Sequence, residues 1–306
     1  MPKEPTRPEK VPEMKPGKYS DGHPLDEVQY LECKIILKPE RFTSAKSFWE
    51  FTKLLKPTTK EYDVMFSTEG MEDTKPQIRE VLFMDTKDFR LYNNAFILRR
   101  RIPYEDGFPA GDPEIVFKYR HPDLQTAAEM DVRPNLIGAT KIKFKAEALP
   151  LRDAIGGFRL LFSHNVEFGL SSVQDTDDKL SMDTIVKVLP ALAPLKKHKD
   201  EHVELVSDVI VEEVLQDVGF LDFGKGVSAK TNVALWRARG DHRPLVGEFA
   251  YQLKFKRRDE LHEKTIARCK EFFCAFQRTA RDWVSLGTTK TGVVYRLKGN
   301  PPNAHE

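Results

Sequence analysis

Only three cysteines, Cys33, Cys269 and Cys274, occur among 306 residues, and no two of them form a CxxC pair. So sparse and odd a set argues against a disulfide framework and against a cysteine-built zinc site. Inert or buried thiols in a reducing compartment are the expectation. The chain also lacks any apolar run near the ~18 residues that a membrane helix needs. It has no excess of either charge: 49 Lys and Arg face 47 Asp and Glu, a formal net charge of +2. That balance speaks against a bulk electrostatic partner such as duplex nucleic acid or a membrane surface. The first 25 residues carry six prolines and no apolar signal-peptide core. They read as a disordered arm over 1–25, with a second disordered stretch over 299–306. The reading is of a soluble, cytoplasmic protein.

Several catalytic signatures are missing as well. The Gly224–Lys225–Gly226 turn has no Walker spacing, and His262–Glu263 has no second histidine four residues on. The QDTDD run at 174–178 lacks the glycine and distal glutamate of a calcium loop. No GxSxG elbow is present.

What the sequence does have is alternation. With 40% hydrophobic residues there is enough apolar material for a sizeable core. Over 30–37, Leu31, Cys33, Ile35 and Leu37 fall on one face and Tyr30, Glu32 and Lys34 on the other, the mark of a half-buried strand. A helix over about 44–56 follows from Phe48, Phe51, Leu54 and Leu55, with Pro57 as its stop. Strands are expected at 62–66, 79–85, 96–102, 115–119, 129–133 and 141–146. The stretch 149–195 is harder to place, apart from a short helix near 184–189. A strand-like HVELV at 202–206 and an apolar-periodic run to Gly219 come next. Strands at 227–238 and 248–255 and a helix over 259–283 complete the pattern.

Many strands and few helices point to a large antiparallel sheet or barrel. Its polar faces are unusual, because like charges recur at i and i+2: Arg99 and Arg101, Lys118 and Arg120, Glu129 and Asp131, and Lys141, Lys143 and Lys145. Solvated strand faces and edge protection account for any one such pair. The whole set makes better sense around a charged lumen that holds something multiply charged.

The order of motifs resembles the CYTH superfamily, the triphosphate tunnel metalloenzymes. That family opens with ExExK, met here by Tyr30, Glu32 and Lys34. Its next segment is matched by FMDTKDFRLYNNAFILRRR, at Asp85, Thr86, Leu91, Arg99 and Arg101. Lys118 and Arg120 answer its KxR strand, Glu129 and Asp131 its alternating acids, and Lys230 a late lysine. The likeness spans about 27–256, with 134–205 standing out as an insertion in a single domain over 26–298.

The resemblance implies an α+β protein: a predominantly antiparallel, eight-stranded β-barrel or tunnel with flanking helices. It implies a phosphohydrolase that uses Mg or Mn and acts on a triphosphate-containing small molecule or inorganic polyphosphate. Glu32 and Lys34 would be catalytic, Arg99, Arg101, Lys118, Arg120 and Lys230 would bind phosphate, and Glu32, Glu129 and Asp131 would hold the metal. Planar arginine forks and lysine point charges suit phosphate oxygens, and carboxylates suit a bridging ion. Four positions depart from the motif. Tyr30 replaces the first acid, Asn232 stands where an arginine belongs, and Tyr251 and Leu253 fill the two acid positions of the last strand. Alternation alone instead puts Glu248, Gln252 and Lys254 on that strand's polar face. With the acids thinned, a non-catalytic polyphosphate- or nucleotide-binding module is the alternative, and an adenylate cyclase a third reading.

Overall fold

The computed structural model describes residues 13–71, 74–173, 178–256 and 260–301. Twelve strands join one sheet: β1 (Tyr30–Leu37), β2 (Met65–Ser67), β3 (Gln77–Asp85), β4 (Phe96–Glu105), β5 (Phe108–Pro109), β6 (Glu114–His121), β7 (Thr140–Pro150), β8 (Phe158–Gly169), β9 (Glu204–Leu205), β10 (Val211–Asp222), β11 (Ser228–Ala238) and β12 (Pro244–Lys254). The helices are α1 (Lys46–Lys53), α2 (Leu55–Glu61), α3 (Arg90–Asn93), α4 (Leu124–Glu129), α5 (Met182–Val188), α6 (Glu263–Thr279) and α7 (Lys290–Tyr295).

The long strands run β10-β11-β12-β1-β7-β8-β6-β4-β3, and β3 then pairs with β10 to close the ring. The result is a closed nine-stranded barrel of mixed direction, which corrects the expected eight-stranded, predominantly antiparallel one. The mixture follows from parity. Strands that alternate up and down close on themselves only in even numbers, so an odd ring must contain a parallel seam. Here that seam is β1 against β7, with Glu32 opposite Glu147. The additional strands come from the segment expected as an insertion: β7 and β8 are both barrel wall. β8 escapes a periodicity reading because its two faces are both buried, with Ser163 and Asn165 on one and His164 on the other.

Other expectations are corrected locally. The strand expected over 129–133 is instead the end of α4 and the loop after it: Asp123 caps the helix, accepting from the Thr126 N–H at 2.7 Å, and Leu124, Ala127 and Ala128 bury its inner face. Pro57 does not end a helix; it sits in the first turn of α2, where its missing N–H costs nothing. Part of the proline-rich arm is packed. Tyr19 and Leu25 are buried against α4, Phe144 and Phe162, and Asp26 bonds the Tyr19 hydroxyl and the His164 ring at 3.2 and 3.0 Å. The rest of the arm (1–12), most of the QDTDD run (174–177), 257–259 at the start of the expected last helix and the tail 302–306 lie outside the described residues.

Period-two alternation decides what each strand shows to each side. Outward, Cys33, Ile35, Leu37, Phe249, Tyr251 and Leu253 pack against α1, α2 and α6. Tyr251 and Leu253 are therefore core residues rather than lost acids. On the opposite wall, Phe117, Val166 and Phe168 pack with Met182 and Ile185 of α5. Inward, one end of the lumen is plugged by Ile36, Val81, Phe83, Ile97, Trp236 and Val246, closed over by Tyr92 and by Val294 and Tyr295 of α7.

Asp85 anchors that closed end. Its carboxylate accepts from the backbone N–H groups of Thr86, Leu91 and Tyr92 at 2.7–2.9 Å and from the Tyr295 hydroxyl at 3.1 Å. Burial pushes its pKa up to about 6 in spite of these donors. Asp85→Asn turns an all-acceptor group into one that aims N–H at N–H. It should lower stability by about 1–3 kcal/mol, read as an earlier urea midpoint at unchanged slope.

Candidate functional site

Above the plug the lumen is lined with charge. β4 sends in Arg99 and Arg101, and β6 sends in Lys118 and Arg120. β1 adds Glu32 and Lys34, because its opposite face is committed to the core. These six expected residues share the lumen. Lys230 lies at its rim, half-exposed and paired with Asp217 at 2.7 Å. Glu129 and Asp131 do not join. Glu129 ends α4 and accepts from Gln125 at 2.8 Å, while Asp131 binds Arg133, which also grips Asp21 of the N-terminal segment. The helix and the loop after it, not a strand, carry these two acids, so alternation never turns them inward.

Lys143 and Lys145, whose i, i+2 repeat pointed to a charged lumen, share one face of β7 with Glu147, which the sequence reading left out although it lies a single step of two beyond the lysines. Period two was signal enough to find it. Arg79, Glu167, Glu213 and Lys290 had no such signal, because none stands in an i, i+2 run of charges.

The lumen carboxylates are all engaged by cations. Glu147 is almost wholly buried and meets Lys118 at 2.7 Å, Lys34 at 3.1 Å and Arg120 at 3.3 Å. Burial alone would raise its pKa, but Lys118, Lys34 and Arg120 hold it well below the usual carboxylate range. Glu32 accepts from Lys145 and Lys34, each at 3.1 Å. Against its burial, these two lysines bring it down to about 2. Glu167 takes Lys143 at 2.6 Å and Arg101 at 3.5 Å. Arg101 also pairs with Glu114. Glu213 is bound by Arg79, by the Trp236 indole N–H and by Lys290. Tyr30, in place of the first motif acid, offers its ring to Lys145 and Lys254 at 5.6 and 5.9 Å.

Arg99 is the exception among the cations. It makes no ion pair among the described residues, and its Nε is buried without a hydrogen-bond partner. Burial, then the nearby charges of Arg101 and Arg79, push its pKa down to about 9, which still leaves it charged at neutral pH. A guanidinium has five donors, and among the described residues that of Arg99 is paired with no carboxylate, although the charges of Glu213 and Glu167 act on it. The lumen can thus accept an external anion at Arg99 while its other cations are only partly neutralised. A cleft of about 160 Å³ elsewhere, lined by Lys87, Lys298, Asp85, Glu204 and Asp208 among others, lies outside this set and mixes both signs of charge.

No family profile and no curated protein sequence matches the chain. Solved structures do. One is HpAC1 from Hippeastrum, assigned as an adenylyl cyclase and described as having a dominant triphosphatase activity. It is 11% identical over 90% of this chain and 98% of its own, with a TM-score of 0.41. The PH1819 protein from Pyrococcus horikoshii is 11% identical over 86% and 97%, with a TM-score of 0.35. A Bacillus halodurans protein assigned as an adenylate cyclase is 10% identical over 86% and 95%, with a TM-score of 0.37. These likenesses are distant, and the site rests on its own side chains.

A divalent ion fits this donor set poorly. Among the described residues no three His, Cys, Asp or Glu side chains gather as ligands. The lumen carboxylates that could serve already accept from ammonium or guanidinium groups. Only Glu32 of the three expected metal ligands faces the lumen.

An unpaired buried cation is a repulsive load on the empty protein. Arg99→Met should therefore raise the melting temperature of the ligand-free protein, by about 2–4 °C for a gain near 1 kcal/mol. Arg101→Met, which abandons Glu167 and Glu114, should not. Differential scanning calorimetry of the two variants separates these outcomes.

Proposed function

We propose that the barrel lumen is a receptor for a linear oligophosphate, either inorganic or carried as the triphosphate of a small molecule. Arg99 carries this reading, as a guanidinium with a buried Nε that forms no ion pair among the described residues, with Arg101 and Arg79 nearer in effect than Glu213 and Glu167. A triphosphate brings about four negative charges on oxygens that suit bidentate arginine and lysine point charges. Lys118, Arg120 and Lys34 add to the same lumen, and each gains an acceptor when phosphate arrives beside Glu147. An overall charge of +2 fits a local, enclosed anion site better than a surface for duplex nucleic acid. Among the described residues no helix is long and apolar enough to cross a membrane.

Hydrolysis by Mg or Mn is the second reading, and Glu32 and Lys34 favour it because both motif residues face the lumen. It asks carboxylates to leave their lysines for a metal, which makes binding the better-supported function.

Tripolyphosphate should bind the full-length protein by calorimetry. Arg99→Ala should weaken it roughly ten- to a hundredfold, since a charge-assisted bond contributes about 1.5–3 kcal/mol and 1.4 kcal/mol is one decade. Equal binding by variant and wild type would remove the anion site. Orthophosphate release from tripolyphosphate, ATP and thiamine triphosphate, assayed with each metal, tests the hydrolytic reading. Turnover comparable with that of an efficient hydrolase would restore it.

A further inference from the structure

Both carboxylate pairs of the lumen have an ammonium between them. Glu32 and Glu147 are register partners across the parallel seam, and Lys34 Nζ stands 3.1 Å from an oxygen of each. Glu213 and Glu248 are bridged in the same way by Lys290, whose Nζ lies 3.1 Å from Glu213 Oε1 and 2.7 Å from Glu248 Oε1. The two pairs use lysines of different origin. Lys34 belongs to the wall, whereas Lys290 is the first residue of α7 and reaches in from outside the strands. Its position is fixed further by the Trp236 ring, 4.7 Å below the ammonium, and by the Trp236 N–H, which donates to the same Glu213 oxygen at 2.7 Å.

Two buried carboxylates side by side repel unless a cation stands between them. In oxygen-lined sites a divalent ion does that work at about 2.0–2.6 Å. Here a monovalent group does it at hydrogen-bond length, attached to the chain and impossible to dissociate. We propose that Lys290, with Lys34 as its counterpart across the lumen, is a resident cation in the place a divalent ion would take. Oligophosphate binding is then metal-independent. This inference rests on the oligophosphate reading of the lumen. A metal entering the Glu213–Glu248 pair must first expel an ammonium that has two carboxylates and an aromatic face. An arriving phosphate instead finds Arg99 and Arg79 beside a carboxylate that is already neutralised.

The test uses the full-length protein and Mn²⁺ as the probe, followed by the paramagnetic resonance signal of the free aquo ion. Wild-type protein should leave that signal intact. Lys290→Met leaves Glu248 without this cation and Glu213 with only Arg79 and the Trp236 N–H, and should bind Mn²⁺ at least about tenfold more tightly than wild type, a difference of ~1.4 kcal/mol. Equal Mn²⁺ affinity in the two proteins, whether both bind or neither does, overturns the role given to Lys290. Should Lys290→Met fail to fold by circular dichroism, Lys290→Gln replaces it, because its amide can still donate to one carboxylate. A second arm needs no variant: tripolyphosphate affinity of the wild type should be the same in EDTA as in MnCl₂ held below the ligand concentration. A loss of tenfold or more in EDTA overturns metal independence. If tripolyphosphate binds under neither condition, the oligophosphate reading falls, while the Mn²⁺ comparison still decides what Lys290 does.

Discussion

Closing a sheet on a charged face forces the charges to settle with one another. Nine strands bring the inward faces of β1, β3, β4, β6, β7, β8, β10 and β12 within reach, and most of their ions are largely withdrawn from bulk water. The structure answers with interleaving: acids from β1, β7, β8, β10 and β12 stand among cations from β3, β4, β6 and β7. Burying an ion without a partner costs several kcal/mol, so each wall limits what the next can carry. The outer packing depends on the same arrangement, since alternation that turns Glu32 and Lys34 inward is what turns Cys33, Ile35 and Leu37 out against α1, α2 and α6.

Within that compensated set, a single guanidinium without a partner stands out far more than a row of paired ones. Arg101, Lys118 and Arg120 look equivalent to Arg99 in a list of motif residues. In the lumen they are not. Each faces a carboxylate, so its attraction for an external anion is already partly spent, whereas Arg99 keeps its own. The lumen acids that a metal would need are accordingly occupied by the cations beside them.

Much of this was legible in the sequence because period two is unambiguous when one face is apolar and the other charged. β1, β4, β6 and β11 could be read almost to the residue, and with them Glu32, Lys34, Arg99, Arg101, Lys118 and Arg120. On the last strand, alternation put Glu248 and Gln252 on the lumen side, and the motif register, which counted Tyr251 and Leu253 as lost acids, was the poorer guide. The reading failed where burial falls on both faces, as in β8, whose His164, Asn165 and Ser163 scramble the pattern. It failed again at 129–133, where Glu, Met, Asp, Val and Arg alternate like a strand. The chain there is the end of a helix capped by Asp123, followed by a loop tied down through Arg133. Lys290 was invisible because its partners, Glu213 and Glu248, meet it only through tertiary packing.

The parallel seam also bears on how the chain assembles. β1 is the first long strand to be synthesised, yet its neighbours are β7, more than a hundred residues on, and β12, near the end of the described chain: Leu31 pairs with Ala146 on one side and Leu253 on the other. Neither edge of β1 can be satisfied by a local hairpin. The ring therefore has a high contact order, and its closure must await the strands made last. Until then Ile35, Leu37 and two open edges remain exposed, which leaves the unfinished barrel open to wrong pairing. The charged residues that later face the lumen, Glu32 and Lys34, sit on the same strand, and charge is what discourages an unpaired edge from finding the wrong partner.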